Sequence, residues 1–254
     1  MVYYVIVKIY FFGSTVDMVD ELCESGFDGS LFLFNIRALD QFVRVARHID
    51  KEKNFKYMIA FRPYVMSPQY LCMITNSMNL IASDRVEINM ISGHTYNGEE
   101  NIGGIIGDVD DNSSNIDKSK YMIKFLDSLS KMSKDLTIPP IYVSTTNNYT
   151  FDATMKYGHK AIVPYSKYIN KDFALDNKNT IISIGPLFKN NDLELGKKYP
   201  DDTVFFTKEK FAQLLDDFKN DGFYGVLIYG LDEHGMKDVI SFVKEYKSFK
   251  FGGK

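Results

Sequence analysis

The stretch "MIAFRPYVMSPQYL", residues 58–71, sets the reading of the whole chain. An apolar run ends at Arg62-Pro63, and apolar residues resume after Ser67-Pro68. The run has the composition of a strand covered on both faces. Ser67 is an N-cap residue type, whose hydroxyl accepts from a first-turn N–H. Pro68 suits the first helical position, where an N–H would have no partner to lose. A buried strand that closes on an arginine and hands over to a helix within a few residues is the junction of a βα unit. How often that junction recurs decides the fold.

It recurs along the chain. Apolar runs rich in β-branched and aromatic residues, each bounded by turn residues, occupy 3–11, 29–34, 56–61, 86–91, 140–144, 160–164, 180–185 and 225–229. Amphipathic segments of helical period lie at 15–25, 67–82, 119–133, 208–220 and 236–247. The first closes on Gly26, which tolerates the left-handed backbone of a helix C-terminus. Eight strands alternating with helices predict one domain over residues 1–254, an α/β fold of the (β/α)8 TIM-barrel type, with a doubly wound open sheet as the alternative. Residues 165–178 and 186–203 have weak helical period, so the sixth and seventh helical connections read as reduced.

Composition narrows the function classes. Hydrophobic residues make up 45% and charged residues 25% of the 254, the proportions of a globular protein with a core. A net charge of -3 gives no electrostatic footprint for nucleic acid. The chain lacks any run of about 18 apolar residues, so no membrane span is expected. "MVYYVIVKIYFFG" is broken by Lys8 and lacks a small-residue cleavage site, so it reads as a first strand rather than a signal peptide. Cys23 and Cys72 both fall on apolar helical faces, as inert thiols do, and a reducing, cytoplasmic compartment is expected.

In a (β/α)8 barrel the site lies where strands end and helices begin. Those junctions here hold Asn35-Ile36-Arg37, Arg62-Pro63, Ser92-Gly93-His94 with Tyr96, Ser144-Thr145-Thr146-Asn147, Tyr165 with Tyr168, and Tyr229-Gly230 with His234. Lys120, in the first turn of its helix, faces the same end. Hydroxyls, helix-start amides and a lysine together suit a phosphate, because a helix N-terminus offers unpaired N–H groups and partial positive charge. "STTNN" with Lys120 is the candidate anion site.

Other motifs argue against other chemistries. "NIGGIIG" at 101–107 lacks the spacing of a dinucleotide-binding loop, and "DVDDN" at 108–112 lacks the rest of a calcium loop. The four histidines show no metal-ligand spacing, so no metal is expected. No GxSxG elbow occurs, and neither cysteine has a basic neighbour.

"GFDGSLFLFNIRALDQF", "YMIAFRPYVMSPQYLCMITNSMNLIASDRVEINMISG" and "GFYGVLIYGLDEHGMKDVI" together resemble the luciferase-like flavin monooxygenases, and within them the alkanesulfonate monooxygenase branch. The shared elements are Arg62-Pro63 with Ser67-Pro68, then "MNLIASDR", then Asn89 to Gly93. The resemblance is strongest over residues 26–94. It implies reduced FMN as cofactor, with the deazaflavin F420 as the less favoured alternative, O2 and a small organic substrate, and a separate NAD(P)H-dependent flavin reductase. A homodimer or homotetramer is the assembly it implies.

Residue by residue, the resemblance sets Lys120-Tyr121 and Thr145-Thr146 near the cofactor phosphate. Ala60 and Phe61 would lie beneath the flavin ring, with Asn89 and Ser92 at its polar edge. Arg37, Arg62, His94 and His234 become the candidates for oxyanion stabilisation or proton transfer. The departures are specific. Leu39 stands where the sulfonate branch has a cysteine, "IISIGPLF" lacks an Arg-x-His pair, and the chain is shorter around the sixth helix and the usual lid. The competing reading is therefore a barrel that binds flavin without turnover.

Overall fold

The computed structural model describes residues 7–35, 39–49, 54–92, 115–188, 203–230 and 232–251. In chain order the elements are β1 (Lys8–Phe12), α1 (Val19–Glu24), β2 (Gly29–Phe32), α2 (Gln41–Ala46), β3 (Lys56–Phe61), α3 (Pro68–Ala82), β4 (Val86–Met90), α4 (Asn115–Met132), β5 (Ile141–Ser144), α5 (Asn148–Lys156), β6 (Lys160–Pro164), α6 (Tyr165–Ile169), β7 (Thr180–Phe188), β8 (Thr203–Phe206), α7 (Lys208–Asn220), β9 (Gly225–Ile228) and α8 (Glu233–Phe251). The strand order is β6-β5-β4-β3-β2-β1-β9-β7-β8 with a further β6–β7 pairing, and every pairing whose register is described is parallel. Eight strands thus close on themselves and β8 attaches outside the ring. This is the (β/α)8 barrel, and all eight expected strands take part.

The chain clusters into two compact units, one from Leu31 to Ala161 and the other made of the residues up to Ser30 and from Ile162 onward. In the middle unit β3, β4 and β5 run in register, with Ala60 opposite Asn89 and Asn89 opposite Tyr142. Phe61 packs against Phe125 of α4 at 5.5 Å between ring centroids. Since side chains alternate along a strand, Tyr57, Ile59 and Phe61 face the helices, and Met58, Ala60, Glu87, Asn89, Tyr142 and Ser144 face inward.

The start signal at Ser67 works as its chemistry requires: Oγ accepts from the N–H of Tyr70 at 3.2 Å, and Pro68 is the first helical residue. At the other end Ser83 (φ 50°) and Asp84 (φ 60°) turn the chain left-handed. Asn79 then ties α3 to β4, accepting from Val86 N–H at 2.8 Å and donating to Val86 C=O at 3.2 Å. Those two bonds set the height at which β4 emerges beside β3.

In the terminal unit Lys8, Tyr10 and Phe11 of β1 stand opposite Gly225, Leu227 and Ile228 of β9, and Ile182 and Ser183 of β7 stand opposite Val226 and Leu227. Phe188 packs on Phe211 of α7 at 5.7 Å and on Phe242 of α8 at 5.0 Å. The even-numbered positions of β7 therefore face the helices, and Ser183, Gly185 and Leu187 face inward. Gly26 has φ +89°, and a Cβ there would meet Lys247 at 2.9 Å. The lysine passes over it to reach Asp28 at 3.2 Å, whose carboxylate also accepts from Ile9 N–H at 2.8 Å.

The sixth connection carries only α6, five residues long, followed by a single 3₁₀ turn at Asn177–Asn179. Tyr168 of α6 nonetheless contacts Phe218 at 5.3 Å and Phe223 at 5.6 Å. The seventh connection contributes β8, paired with the second half of β7 from Gly185–Thr203 to Phe188–Phe206, and then the 13-residue α7. Among the described residues no helix is long and apolar enough to cross a membrane.

Candidate active site

The inward face of β4 and β5 is polar. Asn89, only 1% exposed, donates through Nδ2 to the Tyr142 carbonyl at 3.2 Å and to Ser144 Oγ at 2.9 Å. A buried amide so held has its orientation fixed, because losing either partner would leave a polar group unsatisfied. Lower on the same face Glu87 is buried, with Lys56 Nζ at 4.0 Å. Lys160 stands over the Tyr142 ring at 5.6 Å.

Arg62 follows β3 directly and is 7% exposed. Its guanidinium lies 5.7 Å from the centroid of Phe34. Proline at 63 and a hydrogen bond from Val65 N–H to the Arg62 carbonyl at 3.0 Å make the turn that leads to α3. The arginine that closes the strand is therefore kept within the fold rather than released to solvent. Ala60, just before it, is small and buried; the Phe61 ring points the other way, against Phe125.

The residues of the expected anion site lie on α4 and ahead of α5; α4 begins at Asn115, five residues before Lys120, so Lys120 sits in its second turn and not in the first as the sequence suggested. Both α4 and α5 return from parallel strands, so they run in the same direction. Tyr157, at the end of α5, donates to Asp127 of α4 at 3.2 Å, and Lys131 bonds the same carboxylate at 2.6 Å. The lysine bond holds the Asp127 carboxyl below its usual range; burial, with donation to Asp127, pushes the Tyr157 hydroxyl up. Seven residues back from that contact lie Lys120 on one helix and Thr150 on the other. Each is about 10 Å nearer its helix N-terminus, so the two starts lie at one end.

At that end Asn147 caps α5, its Oδ1 accepting from Thr150 N–H at 2.9 Å. The N–H groups of Asn148 and Tyr149 are the first-turn donors that this cap leaves over. Thr145 is buried and its hydroxyl donates to the Asn147 carbonyl at 3.0 Å, so it shapes the turn. Thr146 and Lys120 are exposed, and Tyr121 and Ser92 are half-buried.

His234 belongs to the terminal unit. Its side chain is 87% exposed and leans along α8 toward Asp238, Nε2 to Oδ2 3.6 Å. The start of that helix is capped by Asp232, which accepts from Gly235 N–H at 2.8 Å. Arg37 and His94 lie outside the described residues, as do Tyr96, "NIGGIIG" and "DVDDN". Among the described residues no group of three or more His, Cys, Asp or Glu is placed to hold a metal.

Two features were not anticipated from sequence. One is the Asn89–Ser144 bond, which only pairing of β4 with β5 creates. The other is at the ends of β1 and β9, where Phe12 and Tyr229 contact at 5.6 Å and the Tyr229 ring lies over Gly185. Its signal was a glycine inside a strand pattern, which marks a close approach.

No protein-family model matches this chain, and no curated protein matches it. Solved structures do. The EDTA monooxygenase EmoA from Chelativorans sp. BNC1 superposes with a TM-score of 0.68 at 9% identity, over 96% of this chain and 94% of that one. An F420-dependent secondary alcohol dehydrogenase, in complex with an F420-acetone adduct, gives 0.66 at 10% identity, over 95% and 98%. Riboflavin lyase RcaE, with modified FMN and riboflavin, gives 0.66 at 8% identity, over 97% and 92%. At such identities the likeness establishes the fold.

Proposed function

We propose that this chain is a flavin-dependent monooxygenase of the luciferase-like type. It takes FMN already reduced by a separate NAD(P)H-dependent flavin reductase and places one oxygen atom from O2 into a small organic substrate. Solved structures of the same fold include a monooxygenase, a flavin enzyme and an F420 enzyme, which supports a flavin-type cofactor. The observation that carries the reading is the composition of one end of the middle unit. There the capped start of α5, with Lys120 on the neighbouring α4, accompanies a polar inner strand face whose amide is held rigid.

The residues present fit FMN. Lys120 and the N–H groups of Asn148 and Tyr149 would hold the phosphate, with Thr146 beside them and Thr145 fixing the turn. Lysine supplies charge without the bidentate fork of arginine. Tyr121 would flank Lys120. Ala60 offers clearance along β3, where Phe61 contributes backbone only, and Asn89 and Ser92 present polar groups toward the ring edge. Bound reduced FMN supplies two electrons which, with O2 and two protons, leave one oxygen atom in the product and the other in water. Arg62 would stabilise developing negative charge, with Arg37 and His94 assigned to the same task on sequence grounds; His234, exposed and turned along its own helix, is given no part in the step. A cytoplasmic homodimer or homotetramer completes the proposal.

Flavin fluorescence titration tests it. FMN should bind more tightly than riboflavin, and Lys120→Ala should weaken FMN about tenfold while leaving riboflavin unchanged. Equal losses for both would refute the phosphate role. Binding of F420 in place of FMN would change the cofactor, and binding of neither would overturn the proposal. Tight FMN binding with oxygen uptake no faster than that of unbound reduced FMN would mark the barrel as a flavin binder without turnover.

A further inference from the structure

The inner face of the terminal unit differs chemically from that of the middle unit. Its positions on β7 are Ile181, Ser183, Gly185 and Leu187, and on β9 they are Gly225, Leu227 and Tyr229. On β1 they are Lys8, Tyr10 and Phe12, and Lys8 sits at the far end, where its Nζ donates to Tyr224 OH at 2.7 Å. None of the inward positions at the C-terminal ends of these strands is charged.

Gly185 has a definite role. A Cβ at Gly185 would stand 2.3 Å from one carbon of the Tyr229 ring and 2.7 Å from the next. The ring can lie on β7 only because position 185 has no side chain. Phe12 meets the same ring at 5.6 Å with the planes tilted by 56°. Phe12 remains 36% exposed and Tyr229 is half-buried, so neither ring is wholly enclosed in the core. The inward side chains of β1, β7 and β9 at this end offer no charge to pair with an anion, whereas a flat neutral molecule could stack or meet the ring edges.

We infer that Phe12 and Tyr229, seated on Gly185, form an aromatic wall that selects a neutral, planar, apolar substrate. This assignment rests on the oxygenase reading and names its substrate class. The wall acts by shape and desolvation.

Two probes with one ring system test it: 2-naphthol, neutral, and naphthalene-2-sulfonate, anionic. Equilibrium titration should show 2-naphthol binding at least about tenfold more tightly than the sulfonate. Tyr229→Leu should weaken 2-naphthol about tenfold, and Gly185→Ala should do likewise by displacing the ring. Tyr229→Phe should retain affinity. FMN affinity should stay within about twofold in all three variants. Tyr229→Leu carries the test should Gly185→Ala fail to fold. Equal or tighter binding of the sulfonate, or naphthol binding indifferent to both changes, would overturn the inference. FMN binding without naphthol binding removes the aromatic wall alone; naphthol binding without any flavin binding removes the oxygenase reading alone.

Discussion

The middle and terminal units use the same strand-helix architecture but line it with opposite chemistry. In the middle unit the inner face carries Glu87, Asn89, Tyr142 and Ser144, joined by bonds between neighbouring strands. In the terminal unit the corresponding face at the strand ends is Phe12, Gly185 and Tyr229. Parallel strands with helices outside require only that both faces be covered and satisfied. Hydrogen bonding achieves this in one unit and aromatic packing in the other. On the proposed reading, the polar face is the one assigned to the anionic cofactor and the uncharged wall the one assigned to the substrate.

The largest expected effect comes from removing the charge at the end of β3. Arg62→Ala should lower kcat/KM for oxygen uptake with reduced FMN and a bound aromatic substrate by about 100-fold, the scale of losing an electrostatic contact to developing charge. Tyr229→Phe should leave the same rate nearly unchanged. If the two substitutions had equal effect, the contrast between a polar and an apolar region would lose its catalytic meaning.

A smaller effect concerns acid. His159, next to β6 in the middle unit, has a buried Nε2 with no hydrogen-bond partner among the described residues. Burial, and then the Lys160 charge, lowers its pKa from 6.5 to about 4. The unfolded chain therefore binds more protons than the folded one between those values, and stability falls as pH drops through that window. Between pH 7 and pH 5 the loss should be about 1–2 kcal/mol, allowing for the ring's partial solvent contact. Urea unfolding at the two pH values measures it, and His159→Gln should remove most of the difference. Hydrogen exchange at pH 5 should rise first in residues 31–161; uniform acceleration would contradict that localisation.

The smallest effect is expected at His234. It is exposed and interacts along its own helix, so His234→Ala should change kcat/KM by less than about twofold and stability by under about 0.5 kcal/mol. A tenfold drop in rate, or loss of a pH-rate limb near neutrality, would restore the proton-transfer role that the sequence resemblance implied.

The strands were legible because each is a continuous apolar run bounded by turn residues, and a run buried on both faces needs no partner to be recognised. Ser67-Pro68 was legible for a local reason as well, since a cap acts within four residues of chain. α2 was missed: six residues with Phe42 and Val45 buried form too short a stretch to show a period. β8 was missed because its four residues gain meaning only against β7. Local sequence placed Thr145-Thr146 just ahead of a helix, but it set Lys120 in a first turn, whereas α4 begins at Asn115 and Lys120 is its sixth residue; nor did it show that Thr145 would turn its hydroxyl back on Asn147.

What the sequence by itself determined was the alternation of strand and helix, the places where each begins, and the chemical types available at each junction. These follow from periodicity, capping and turn propensity, which act over a few residues. Only the tertiary structure decided that Asn89 would hold Ser144, that Phe61 would turn to the helices, and that Gly185 would make room for Tyr229. Each depends on strand register, and register is set by packing between segments dozens of residues apart, where a shift of one position would exchange the inner and outer faces.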